Sequence, residues 1–129
     1  MLIAALFISL AVAMPSSAFA GSKRDARVAY VLKNLKLKND VQEKLRPLLD
    51  AYLKELSDLK DPYKKLKDEL QDAIDANKLT AAQCDQLFEA KQKQEEQEPA
   101  LNRKWYAKFK TVLTAQQAYK AMKLSDDKL

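Results

Sequence analysis

Apolar residues recur along most of the chain at steps of three and four, the period of a helix with one dry face. Val28, Val31, Leu32 and Leu35 mark a first short helix from Asp25 to Leu35. A longer stripe follows through Val41, Leu45, Leu48, Leu49, Tyr52, Leu53, Leu56 and Leu59. Asn39, with Gln42 three residues on, is placed to cap its start. Pro47 stands inside this stripe, which keeps its register across it, so a bend is predicted rather than a stop. At Asp61-Pro62 the expectation is a new helix or a kinked continuation, carried by Tyr63, Leu66, Leu70, Ala73 and Ile74 and closed by Asn77-Lys78.

Beyond Thr80 the next helix puts Leu87 and Phe88 on its apolar side and then turns polar from Lys91 to Glu98. A helix that is polar all round has nothing to bury, so this part is expected to project into solvent. Pro99 is expected to kink or divide it. Leu101, Trp105, Phe109 and Val112 restore the apolar spacing, Thr114 opens a last short helix, and Ser125 to Lys128 reads as a frayed tail. The chain's one Gly is at position 21, which leaves strands and tight hairpins without their usual punctuation. The predicted fold class is all-α, with long amphipathic helices in an open helical hairpin.

One phrase occurs twice: Leu79-Thr80-Ala81-Ala82-Gln83 and Leu113-Thr114-Ala115-Gln116-Gln117. Thr at the N-cap accepts from the backbone N–H of the third helical residue, and Gln at that residue reaches back to the N–H of the Thr. This is a capping box, worth about 1 kcal/mol at each helix start. Leu79 and Leu113 occupy the staple position outside each cap. Their partners one turn in are Cys84 and Ala118, the latter a weak one.

The first twenty residues carry an apolar run from Leu2 to Val12, then Pro15, then small residues at Ala18 and Ala20 before Gly21. That order is the h-region, break and cleavage site of a secretory signal peptide. A membrane anchor is the rival reading, but the run is short of a span and Pro15 interrupts it. The domain organisation expected is a cleaved leader over residues 1–20 and one helical domain over 21–129, with no stable membrane anchor after cleavage. A domain of that size builds only a modest core and is expected to share apolar surface with a partner.

Lys and Arg number 23 against 18 Asp and Glu, a formal charge of +5. The two signs are interspersed, as on solvated helix faces. Export removes most of the case for nucleic acid and leaves acidic clients or an anionic surface. The single cysteine, Cys84, excludes an internal disulfide framework. It is read as a small apolar residue in a helix seam, an intermolecular disulfide being the alternative.

The chain has no His, so no Ser-His-Asp or Cys-His arrangement and no Cys/His zinc cluster is present. Phosphate-cradling glycine loops are likewise missing. No catalytic residue, metal ligand or cofactor is expected, and the protein is read as a non-enzyme. The richest segment interleaves Arg103, Lys104, Lys108 and Lys110 with Trp105, Tyr106 and Phe109. Trp105 and Phe109 share a face and read first as core. Arg103, Lys104, Trp105, Tyr106, Phe109 and Lys110 together are the candidate client-binding segment, apolar and cationic at once.

The two LTxxQ phrases, the leader, the near absence of Gly and the segment DVQEKLRPLLDAYLKEL resemble the Spy/CpxP-like family of periplasmic proteins, over most of Arg27 to Lys123. The resemblance implies a thin, curved, antiparallel homodimer and a periplasmic location. Its implied function is that of an ATP-independent chaperone or envelope-stress accessory protein that binds unfolded or partly folded proteins. The start of the first long helix departs from the family pattern, with Asn39 where a Thr cap is common. Two alternatives come from other classes: a regulatory module docking on an envelope-stress sensor, and a Skp-like escort of outer-membrane proteins.

Overall fold

The computed structural model describes residues 23–127; the leader reading falls outside them. Helix α1 covers residues 23–35 of that range. It is followed by α2 (Asn39–Glu69), the short α3 (Gln71–Asp75), α4 (Ala81–Phe109) and α5 (Ala115–Asp126). The fold is all-α, as the apolar periods predict.

The two long helices form an antiparallel hairpin. Tyr52 of α2 meets Asn102 of α4 through a 2.8 Å hydrogen bond, and further along Lys91 of α4 lies 5.1 Å from the Tyr63 ring of α2. Position numbers rise on one helix as they fall on the other. At 31 residues, α2 is about 46 Å long. Helices α1 and α5 pack together at the open end of the hairpin, where Arg27 Nη1 donates to the Leu124 carbonyl at 3.0 Å and Tyr30 Oη to Asp127 at 3.2 Å.

The core lies wholly at that end. Its buried apolar residues run from Val28 to Leu56 and from Trp105 to Leu124, with Leu45, Leu49 and Phe109 fully enclosed. Between them, over residues 57–104, the single buried side chain among those described is Gln94. Half of the hairpin is therefore a two-helix arm without a core.

All three helical prolines are accommodated. Pro47 and Pro62 lie inside an unbroken α2, and Pro99 inside an unbroken α4. Each is exposed, so the carbonyl that loses its N–H partner four residues earlier turns toward water instead of being stranded. Asp61-Pro62 thus continues α2, and Pro99 does not divide α4.

Four local expectations are corrected. Asn39 is already helical: the cap position belongs to Lys38, whose side chain offers no acceptor, and no side chain caps α2. The tail does not fray over Ser125 to Asp127. Ser125 is buried with its hydroxyl donating to the Ala121 carbonyl at 2.7 Å, and α1 supplies donors to the end of α5; Lys128 lies outside the described residues. Cys84 is exposed, because the inward line of α4 passes through Gln83 and Leu87, leaving Cys84 and the 60% exposed Phe88 to one side. The polar run is not free in solvent on every face. It lies along α2, with Gln94 turned inward and Lys91 over an aromatic ring.

Both capping boxes form. Thr80 Oγ1 accepts from the Gln83 amide at 3.1 Å while Gln83 Oε1 accepts from the Thr80 amide at 3.0 Å, and Thr114 with Gln117 repeats the pair at the same distances. Their surroundings differ. Leu79 is half-buried at the tip of the arm, whereas Leu113 and Ala118 are buried in the core. Thr114→Ala is expected to lower global stability by about 1 kcal/mol in urea unfolding. Thr80→Ala is expected to act locally, speeding amide exchange over the first turn of α4 with a smaller shift in the global midpoint. Equal global losses for the two variants would show that the tip unfolds together with the core.

Candidate functional site

The basic-aromatic segment forms the last two turns of α4 and divides into an inward and an outward half. Trp105 and Phe109, four residues apart, face inward and are buried with Tyr52 of α2. Tyr52 meets Phe109 edge-on at 5.7 Å and 85°, and Trp105 stands 6.2 Å from each of the two rings. Such tilted and edge-to-face contacts match the ring quadrupoles and add to the burial of area.

Polar atoms in this cluster are paired. Tyr52 Oη donates to Asn102 Oδ1 at 2.8 Å. Burial is the main reason its phenol is pushed up to about 12, with the charges of Glu98 and Asp126 adding to it. Glu55 Oε2 accepts from Lys104 Nζ at 2.6 Å and from the Trp105 indole N–H at 3.2 Å. Those two hydrogen bonds hold the Glu55 carboxyl below its ordinary value of 4.5.

Glu55 is therefore the group that reconciles a buried indole with an exposed ammonium. Glu55→Ala leaves the indole N–H of a nearly enclosed Trp without an acceptor, a loss expected at about 1–3 kcal/mol. Glu55→Gln keeps an oxygen in place and should recover much of it in thermal unfolding. The folded carboxyl is the stronger acid, so its contribution is present above the ordinary pKa and fades as pH falls through the folded value, in the window below 4.5. If Glu55→Ala unfolds like the wild type, the indole contact has no energetic role.

The outward half is cationic. Lys104 and Lys108 lie 5.6 and 4.4 Å from the Trp105 ring centroid, their stems helping to cover it. Lys110 lies 4.7 Å from the Tyr106 ring. Arg103, Tyr106 and Lys110 share one face at steps of three and four; Arg103 and Lys110 are exposed and Tyr106 half-buried. Of the six residues singled out in the segment, Arg103, Lys104, Tyr106 and Lys110 reach the surface, and Trp105 and Phe109 do not.

A second surface lies on the arm. Leu59, Leu66, Leu70, Ile74 and Leu87 are only half-buried there, and Phe88 is exposed. The motif residues Leu79, Thr80 and Gln83 sit at its tip as helix caps, far in sequence from Leu113, Thr114 and Gln117 at the base. The signal for this surface was present in the sequence as an apolar stripe over residues 59–74 set against a first half of α4 that is mostly polar. Such a stripe is only partly covered by its own chain.

Among the described residues no group of three or more His, Cys, Asp or Glu side chains is gathered to hold a metal ion. No described helix is long and apolar enough to cross a membrane. Comparison of the chain with protein-family models, characterised proteins and solved structures gives no match.

Proposed function

We propose that this protein is a periplasmic, ATP-independent chaperone or envelope-stress accessory protein that binds unfolded or partly folded proteins and limits their aggregation. The observation that carries this reading is the coreless arm. Over residues 57–104 no apolar side chain among those described is buried, while leucines, an isoleucine and Phe88 remain partly or fully exposed. Apolar side chains left uncovered along one arm of a small protein offer a place for another molecule. The cationic edge of Arg103, Tyr106 and Lys110 adds attraction for acidic segments, at modest affinity and with salt sensitivity. The leader pattern and the resemblance in the repeated phrase supply the location and the class. A homodimer, with part of the arm surface shared between two copies, belongs to the same proposal.

Light scattering of a chemically denatured model client, with and without stoichiometric purified protein at low and high salt, tests it. Suppressed scattering at low salt, partly relieved at high salt, is the expected result. Scattering that proceeds unchanged in both conditions would remove the chaperone reading. Retention of one dominant envelope protein on the immobilised chain would then support the regulatory module.

A further inference from the structure

The base of the molecule carries a groove that shares Lys110 with the client-binding reading and is otherwise unused by it. It lies between the α1–α2 turn and the α4–α5 turn, with a volume of about 590 Å³, in the range of small-molecule sites. Leu37, Val41, Val112 and Leu113 line it; the first three are half-buried and Leu113 is buried, so they give it an apolar floor. Lys36, Lys38 and Lys110 also line it, all three exposed, and no carboxylate is among its lining residues. Three ammonium groups around one apolar floor without a lining carboxylate give the groove a positive character.

The backbone reinforces this polarity. Lys36 takes φ of 54°, a left-handed conformation that a residue with a Cβ avoids unless its surroundings hold it there. The next residues bring the start of α2 to the groove, where no side chain caps the helix; its first N–H groups add partial positive charge, which Asp40 in the first turn partly offsets. Thr114 also lines the groove. Its hydroxyl oxygen accepts from the Gln117 amide, which leaves the hydroxyl proton free to donate.

We infer that this groove binds one molecule of a free, single-chain anionic amphiphile: an alkyl tail on the floor of Leu37, Val41, Val112 and Leu113, and a carboxylate or phosphate head among Lys36, Lys38 and Lys110. Charge complementarity selects an anion. The floor comes from the two turns and Val41 in the first turn of α2, a patch suited to one tail rather than to a bilayer or a long extended peptide. The second copy of the repeated phrase thereby has a setting that the first lacks, since Leu113, Thr114 and Gln117 line the groove and Leu79, Thr80 and Gln83 stand at the far tip.

The test is a ¹H–¹⁵N NMR titration of the purified protein with dodecanoate below its micelle concentration. The expected result is saturable shifts of the amides of Leu37, Val41, Thr111 and Leu113. Dodecyltrimethylammonium, with the same tail and the opposite charge, should give no saturable shift there. The triple variant Lys36→Gln, Lys38→Gln, Lys110→Gln should bind dodecanoate about tenfold more weakly, with an unchanged melting temperature because all three side chains are exposed. Undiminished binding by the triple variant would overturn the inference. So would equal shifts with the cationic amphiphile, or shifts confined to the arm around Leu66 to Phe88. An acidic, leucine-bearing peptide that displaces dodecanoate at lower concentration would reassign the groove to a protein segment. Binding to anionic vesicles without binding of the monomeric amphiphile would reassign it to a membrane surface.

Discussion

Phe109→Ala is expected to destabilise the protein by about 3–5 kcal/mol, the cost of emptying a fully enclosed aromatic site that its neighbours do not refill. Phe109 is fully buried and touches both other rings of the cluster, so its removal loosens α2, α4 and the turn into α5 together. Domains are commonly stable by about 5–15 kcal/mol in total. The variant should therefore stand close to its unfolding transition at room temperature. Urea denaturation followed by far-UV circular dichroism checks this, with Phe88→Ala as the comparison. Phe88 is 60% exposed, and its truncation should change monomer stability by no more than about 0.5 kcal/mol. A Phe109→Ala loss below about 1.5 kcal/mol would mean that the core is not organised around this ring. A concentration-dependent loss in Phe88→Ala would instead place the arm in an interface between copies.

Alkaline pH is expected to erode stability by up to about 2.7 kcal/mol through Tyr52 alone. The folded phenol is pushed up to about 12, chiefly by burial, against an ordinary value of 10.0. Between those two values the unfolded chain releases a proton that the folded chain retains. Stability is therefore complete below pH 10 and falls as pH rises toward 12. Urea midpoints at a series of pH values across this window should decline in the wild type and decline much less in Tyr52→Phe. Tyr30 acts in the same direction, through burial and its hydrogen bond to Asp127, and Tyr30→Phe separates its share. If Tyr52→Phe declines as steeply as the wild type, the alkaline transition has an origin other than Tyr52.

Both predictions concern the base of the hairpin, and the proposed activity concerns the arm. This division has a physical cause. The α2 stripe from Leu45 to Leu56 meets an α4 segment that supplies Trp105 and Phe109, and it condenses into a core. Further along, the stripe from Leu59 to Ile74 runs beside the first half of α4, whose inward line carries Gln83, Leu87 and Gln94 rather than aromatic rings, and no core forms there. A two-helix arm without a core gains little from hydrophobic burial, so it is the low-stability end of the molecule. That is also the place where binding of another chain has most to add.

Most of the helices were legible in the sequence, because helical periodicity and capping are local. The stripes located α1 and the starts of α2 and α4 within a few residues, but not the break between α2 and α3 after Glu69. The two Thr-x-x-Gln boxes placed the starts of α4 and α5 at the correct residues, since a cap needs only groups three positions apart. Burial of Trp105 and Phe109 followed from their spacing on one face. What only the tertiary structure decided was which faces find partners. Cys84 and Phe88 sit on a helix whose inward line is set by α2, so no local pattern could assign them to solvent. The tail from Ser125 to Asp127 is ordered by donors from α1, about a hundred positions away in the chain. Whether a proline divides a helix depends on whether its freed carbonyl meets water or protein, and at Pro62 and Pro99 it meets water. Two five-residue phrases of one Leu-Thr-x-x-Gln pattern became a solvent-exposed tip in one place and a core corner beside a cationic groove in the other, because the sequence specifies the turn and the packing around it specifies its use.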